Sequence, residues 1–72
     1  MNQLETVLKN LNHFYLQFGN SKVSEYIRTV YKKTDERDVL LVCRDWMYDM
    51  VQENPFNRGL WSTLAAIERK LR

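Results

Sequence analysis

The sequence predicts an all-α fold, a compact single domain of about four helices. Three observations carry that expectation. Every apolar pattern along the chain has the helical period, only two glycines and one proline are available for the tight turns that sheets need, and 72 residues leave room for one core. A chain of this length buries only about 60% of the surface its unfolded form exposes, so a second domain is not expected. The hydrophobic fraction of 44%, with two Trp, four Tyr and three Phe, is too high for a disordered chain.

The first helix is expected over about 2–18, where Leu4, Val7, Leu8, Leu11, Phe14, Tyr15 and Phe18 follow one helix face and Gly19 supplies a stop. Ser21 is a fitting N-cap for a second helix over about 21–32, with Val23, Tyr26, Ile27, Val30 and Tyr31 on its stripe. The polar run Lys32 to Asp38 reads as a connection. Thr34 can cap a third helix, about 35–53, whose first turn carries Asp35, Glu36 and Asp38 where the positive end of a helix dipole favours acids. Asn54 precedes Pro55 and is biased away from helical backbone, which sets the next boundary. A fourth helix is expected over about 56–71, with Phe56, Leu60, Leu64, Ile67 and Leu71 on one stripe and Gly59 weakening its first turn.

The third helix carries the widest apolar arc. At about 100° per residue, Val39, Leu40, Val42, Cys43, Trp46, Met47, Met50 and Val51 cover roughly half its circumference. A helix that apolar is normally touched by several others, so it is expected at the centre of an orthogonal or bundle-like arrangement.

The chemistry-bearing residues do not assemble into a catalytic pattern. His13, the one histidine, projects opposite the Leu4, Leu8, Leu11 stripe, and Cys43 projects into the apolar arc, where a thiol is an inert small hydrophobe. Ser24 and Ser62 lack a nucleophile-elbow context, and there is no phosphate-binding loop or Cys-x-x-Cys pair. Asp45, Asp49 and Glu53 recur every four residues beside Asp38, but the Glu-x-x-His pattern of di-metal bundles is missing, so the row reads as a solvated acidic face. No catalytic residue, metal ligand, cofactor or small-molecule substrate is expected.

Eleven Lys and Arg against nine Asp and Glu give a net charge of +2, well short of a dedicated nucleic-acid binder. One cysteine cannot form an intrachain disulfide, which favours a reducing cytoplasm, and no stretch reaches the roughly 18 apolar residues of a membrane span. The N-terminus shows no targeting pattern.

Two readings of function remain. The leading one is a non-enzymatic protein-interaction or regulatory module, binding another protein or itself as a homodimer. Leu41 and Tyr48 stand seven residues apart on the polar side of the third helix beside Arg44 and Asp45, and Trp61 with Ala65 lies to the side of the fourth helix's main stripe. Apolar residues off the core stripe suit a contact surface. The alternative is a helix-turn-helix nucleic-acid binder: Phe18-Gly19-Asn20-Ser21 would be the turn, and Lys22, Ser24, Glu25, Arg28 and Thr29 would face the major groove, with Lys32 and Lys33 adding to the basic end. The structural reading of this basic cluster, and of Arg69, Lys70 and Arg72, is a set of cations at helix C-terminal dipoles.

Overall fold

The apolar stripes settle into four helices and no strand in a computed structural model that describes residues 3–72. They are α1 (Gln3–Phe18), α2 (Asn20–Lys33), α3 (Arg37–Glu53) and α4 (Arg58–Leu71). The expected start of α1 at Asn2 lies outside the described residues.

The core is built where the periodicity places it. Val39, Leu40, Cys43, Met47, Met50 and Val51 of α3 are buried against Val23, Ile27 and Val30 of α2, Leu60, Leu64 and Ile67 of α4, and Val7 and Leu11 of α1. Val42 and Trp46, at the margin of the α3 arc, are half-buried. Helix α3 packs against all three other helices, most extensively against α4, as its wide arc predicts. Helix α2 also touches all three, whereas α1 and α4 do not meet. The result is a slab of 36 × 32 × 15 Å, little more than one helix diameter thick. Cys43 is fully buried, and burial pushes its thiol up to about 11, which keeps it protonated and inert at neutral pH.

The helix ends depart from the sequence expectations, for reasons visible in the hydrogen bonds. Ser21 does not cap α2. Gly19 alone joins the helices, at φ 82° and ψ −167°, in the region of positive φ that favours glycine. Its N–H donates to the Phe14 and Tyr15 carbonyls that end α1, and its own carbonyl accepts from Val23 to begin α2. Thr34 does not cap α3 either. It is the buried C-cap that follows α2, donating its hydroxyl to Gln3 Oε1 at 2.9 Å and accepting from the Glu36 N–H at 3.2 Å. Helix α3 therefore starts two residues later than expected, and Asp35 and Glu36 precede it.

Phe56 is not a core residue: it is 95% exposed. Residues 54–57 turn back through the Asn54 N–H to the Met50 carbonyl and the Asn57 N–H to the Asn54 carbonyl, leaving Phe56 on the outer corner. Asn57 then caps α4, its Oδ1 accepting from the Leu60 N–H at 3.2 Å. Gly59 keeps that corner tight, because a Cβ there would lie 3.3 Å from Asn57 Oδ1 and 3.4 Å from the Arg28 guanidinium. The α1 stripe is also only partly used. Leu8, Tyr15 and Phe18 are exposed because α1 lies at the slab's edge and reaches the core through Val7 and Leu11, with Leu4 and Phe14 half-buried beside them.

Candidate functional site

Helix α3 is buried on one side of its axis and open on both flanks, and each flank lines a groove. On the α4 side, Arg44, Asp45 and Tyr48 meet Glu68 of α4 around a shallow cavity of about 330 Å³. Glu68 lies three residues beyond Ala65 and seven beyond Trp61, so all three stand on one face of α4. Leu41 lies one turn before Arg44 and two before Tyr48 on the facing side of α3. Tyr48 of α3 and Glu68 of α4, each on the side that carries one of the two apolar pairs, thus line one groove at the α3–α4 seam.

The side chains of this face differ in how firmly they are held. Tyr48 is 53% exposed, whereas Leu41 and Arg44 are half-buried and Asp45 and Ala65 are exposed. Trp61 is 46% exposed, but its indole N–H donates to the Pro55 carbonyl at 2.8 Å, which fixes the ring over the 54–57 turn. A large aromatic held by its polar edge while half its surface remains open loses little conformational freedom on meeting a partner. The Arg44–Asp45 contact of 3.3 Å joins exposed side chains, so it leaves Arg44 free to exchange partners at little cost. Glu68 is the member of this face that sequence reasoning missed. Its spacing from Trp61 and Ala65 was visible in the sequence, but its meeting with Tyr48 depends on the pairing of α3 with α4.

On the other flank Tyr15 of α1 and Trp46 of α3 meet edge-on, with ring centroids 5.8 Å apart, beside the carboxylates of Asp45, Asp49 and Glu53. This groove is about 490 Å³ and no Lys or Arg lines it. Asn20 donates to Glu53 at 3.3 Å. Among the described residues no group of three or more His, Cys, Asp or Glu is placed to hold a metal ion. His13 is exposed, its ring tilted against Phe14 at 5.8 Å.

Of the residues expected to contact nucleic acid, Lys22, Glu25, Arg28, Thr29, Lys32 and Lys33 are exposed on α2 and Ser24 is not. Ser24 is buried, with its hydroxyl donated to the Ser21 carbonyl at 2.9 Å, which corrects its placement on an outward face. Arg28 is drawn toward α4, its Nε donating to Thr63 Oγ1 at 3.4 Å, and Lys22 pairs with Glu25 at 3.9 Å. Lys32 and Lys33 are exposed at the end of α2. The expected four-residue turn before this helix is reduced to Gly19.

The C-terminal basic cluster has a structural task that crosses helices. Lys70 Nζ donates to the Tyr31 and Thr34 carbonyls, both at 2.6 Å, and stands 3.7 Å from Asp35, so it closes the C-terminus of α2 rather than that of its own helix. Arg37 does the same for α4, donating to the Leu71 carbonyl at 2.8 Å. No helix among the described residues is long and apolar enough to cross a membrane. Comparison of the chain with protein-family models, with curated proteins and with solved structures finds no match in any of the three.

Proposed function

We propose that this chain is a small non-enzymatic interaction module, regulatory in character, that binds another protein through the α3–α4 face around Tyr48. The observation that supports the reading is the groove shared by Tyr48, Arg44, Asp45 and Glu68, with Leu41 on the same side of α3 and Trp61 and Ala65 on the same side of α4 by helical spacing. Aromatic anchors with a charged surround are the composition of a binding hot spot. A slab only 15 Å thick has little interior relative to its two broad faces, and a partner would bury surface that the fold leaves open. The free, buried Cys43 suits a reducing compartment such as the cytoplasm.

The test is site-specific photo-crosslinking in cells that make the protein. A benzophenone side chain in place of Tyr48 should give discrete adducts, and the same group in place of Lys9, exposed on α1, should give none. Equal labelling from both positions, or none from Tyr48, would remove the α3–α4 face as the contact surface.

A further inference from the structure

We infer that the occupant of the Tyr48 face is a second copy of this chain, related by a two-fold axis that sets Arg44 of each copy against Glu68 of the other. The inference rests on reading that face as a contact surface and adds the identity of what covers it.

Charge separates the two flanks of α3. A two-fold interface brings a surface against itself, so a patch of one sign repels its own copy, whereas a patch holding both signs can meet itself with cations over carboxylates. The Tyr15–Trp46 groove carries Asp45, Asp49 and Glu53 with no lining cation, and two copies of it would repel. The Tyr48 groove holds Arg44 beside Asp45 and Glu68. The groove therefore holds both signs around an aromatic centre. Glu68 makes no ion pair among the described residues, and the one ion pair of Arg44 is the exposed contact with its chain neighbour Asp45. Both groups are available, and because they line the same cavity, a two-fold axis near Tyr48 serves both reciprocal pairs at once.

The face is small. Helices of 17 and 14 residues present lengths of about 25 and 21 Å, and two neighbouring helices are roughly 20 Å wide, so the face covers about 400 Å² in plan. That is small beside the roughly 800 Å² per partner of a standard interface, the size class of weak and transient contacts.

The test exploits the reciprocity of a two-fold contact. In sedimentation velocity at rising concentration, wild type should pass from monomer to dimer, and Arg44→Glu and Glu68→Arg should each weaken self-association by about tenfold or more, the scale of a repulsive pair at an interface. Mixed in equal amounts, the two variants should recover a dimer, because every contact then joins unlike charges again. Circular dichroism confirms the fold of each. Should a reversal fail to fold, Arg44→Gln and Glu68→Gln carry the test: each should weaken the dimer, and together they should cost no more than one alone. A wild type that stays monomeric at millimolar concentration, single reversals that associate normally, or a mixture that does not recover would overturn the inference. The crosslinking experiment separates this failure from that of the wider reading. Adducts from Tyr48 to a different protein, with no self-association, would retain the contact surface and exclude the second copy.

Discussion

Replacing Ile27 with alanine is expected to lower the melting temperature by about 15 °C. The side chain is fully buried in α2, a helix that packs against all three others. Truncation removes three buried carbons and leaves a cavity whose walls belong to separate elements, so no single side chain can relax into it. Losses of this kind run to about 2–5 kcal/mol, and a chain of 72 residues has a total stability of about 4–11 kcal/mol. Near the middle of the range, about 3 kcal/mol, the shift follows from the roughly 4–8 °C that each kcal/mol is worth in a domain this small. Thermal unfolding followed at 222 nm checks it. Val7→Ala in α1 is the comparison: this helix lies at the slab's edge and can settle inward, so about 1 kcal/mol is expected there. An Ile27 effect no larger than the Val7 effect would contradict the placement of α2 within the core.

Lys70→Met is expected to cost about 2 kcal/mol, far more than a surface lysine. Methionine keeps most of the apolar stem and deletes the ammonium that satisfies the Tyr31 and Thr34 carbonyls. Bonds from a charged donor contribute about 1.5–3 kcal/mol where they are shielded from water, and Lys70 at 29% side-chain exposure is partly shielded, which holds the sum near the lower part of that range. The loss should be local as well as global. Amide exchange at residues 31–36 should accelerate before the rest of the chain opens, because the junction of α2 and α3 loses its tie to α4. Arg69→Met and Arg72→Met, at exposed positions, should stay within about 0.5 kcal/mol of wild type. Equal effects at all three positions would show that Lys70 acts through general charge and not through these carbonyls.

The parts of the fold that were legible in the sequence are those set by periodicity. The α3 arc identified six buried residues, with Val42 and Trp46 at its margin, and it placed Cys43 inside and Tyr48 outside from spacing alone. Helix ends were less legible because several side chains compete for each. Thr34 has the chemistry of an N-cap, yet its hydroxyl is claimed by Gln3, thirty-one residues away, and by the N–H of Glu36. Ser21 lost its expected role to Gly19, which ends one helix and begins the next through the same peptide units. Phe56 fits the α4 stripe by spacing and is excluded by the turn that precedes the helix.

The proposed contact face was legible in halves. Leu41 with Tyr48 and Trp61 with Ala65 stood out as apolar residues off their core stripes, but nothing in a linear sequence says that the two halves are neighbours. The pairing of α3 with α4 makes them so and adds Glu68 at the join. The basic residues read the other way. Arg28 read as a groove contact and Lys70 as a cation at the end of its own helix, and long-range hydrogen bonds tie them to Thr63 and to the end of α2.

The account turns on the claim that Leu41 and Tyr48 serve contact and not folding, and the double variant Leu41→Ser with Tyr48→Ala tests it most directly. Thermal unfolding and light scattering on the same preparation separate the two roles. The expected result is a stability within about 1 kcal/mol of wild type, the range of sites outside a core, together with loss of association. An unfolded double variant would assign both residues to the core, and a folded one that associates as wild type does would place the interface elsewhere on the slab.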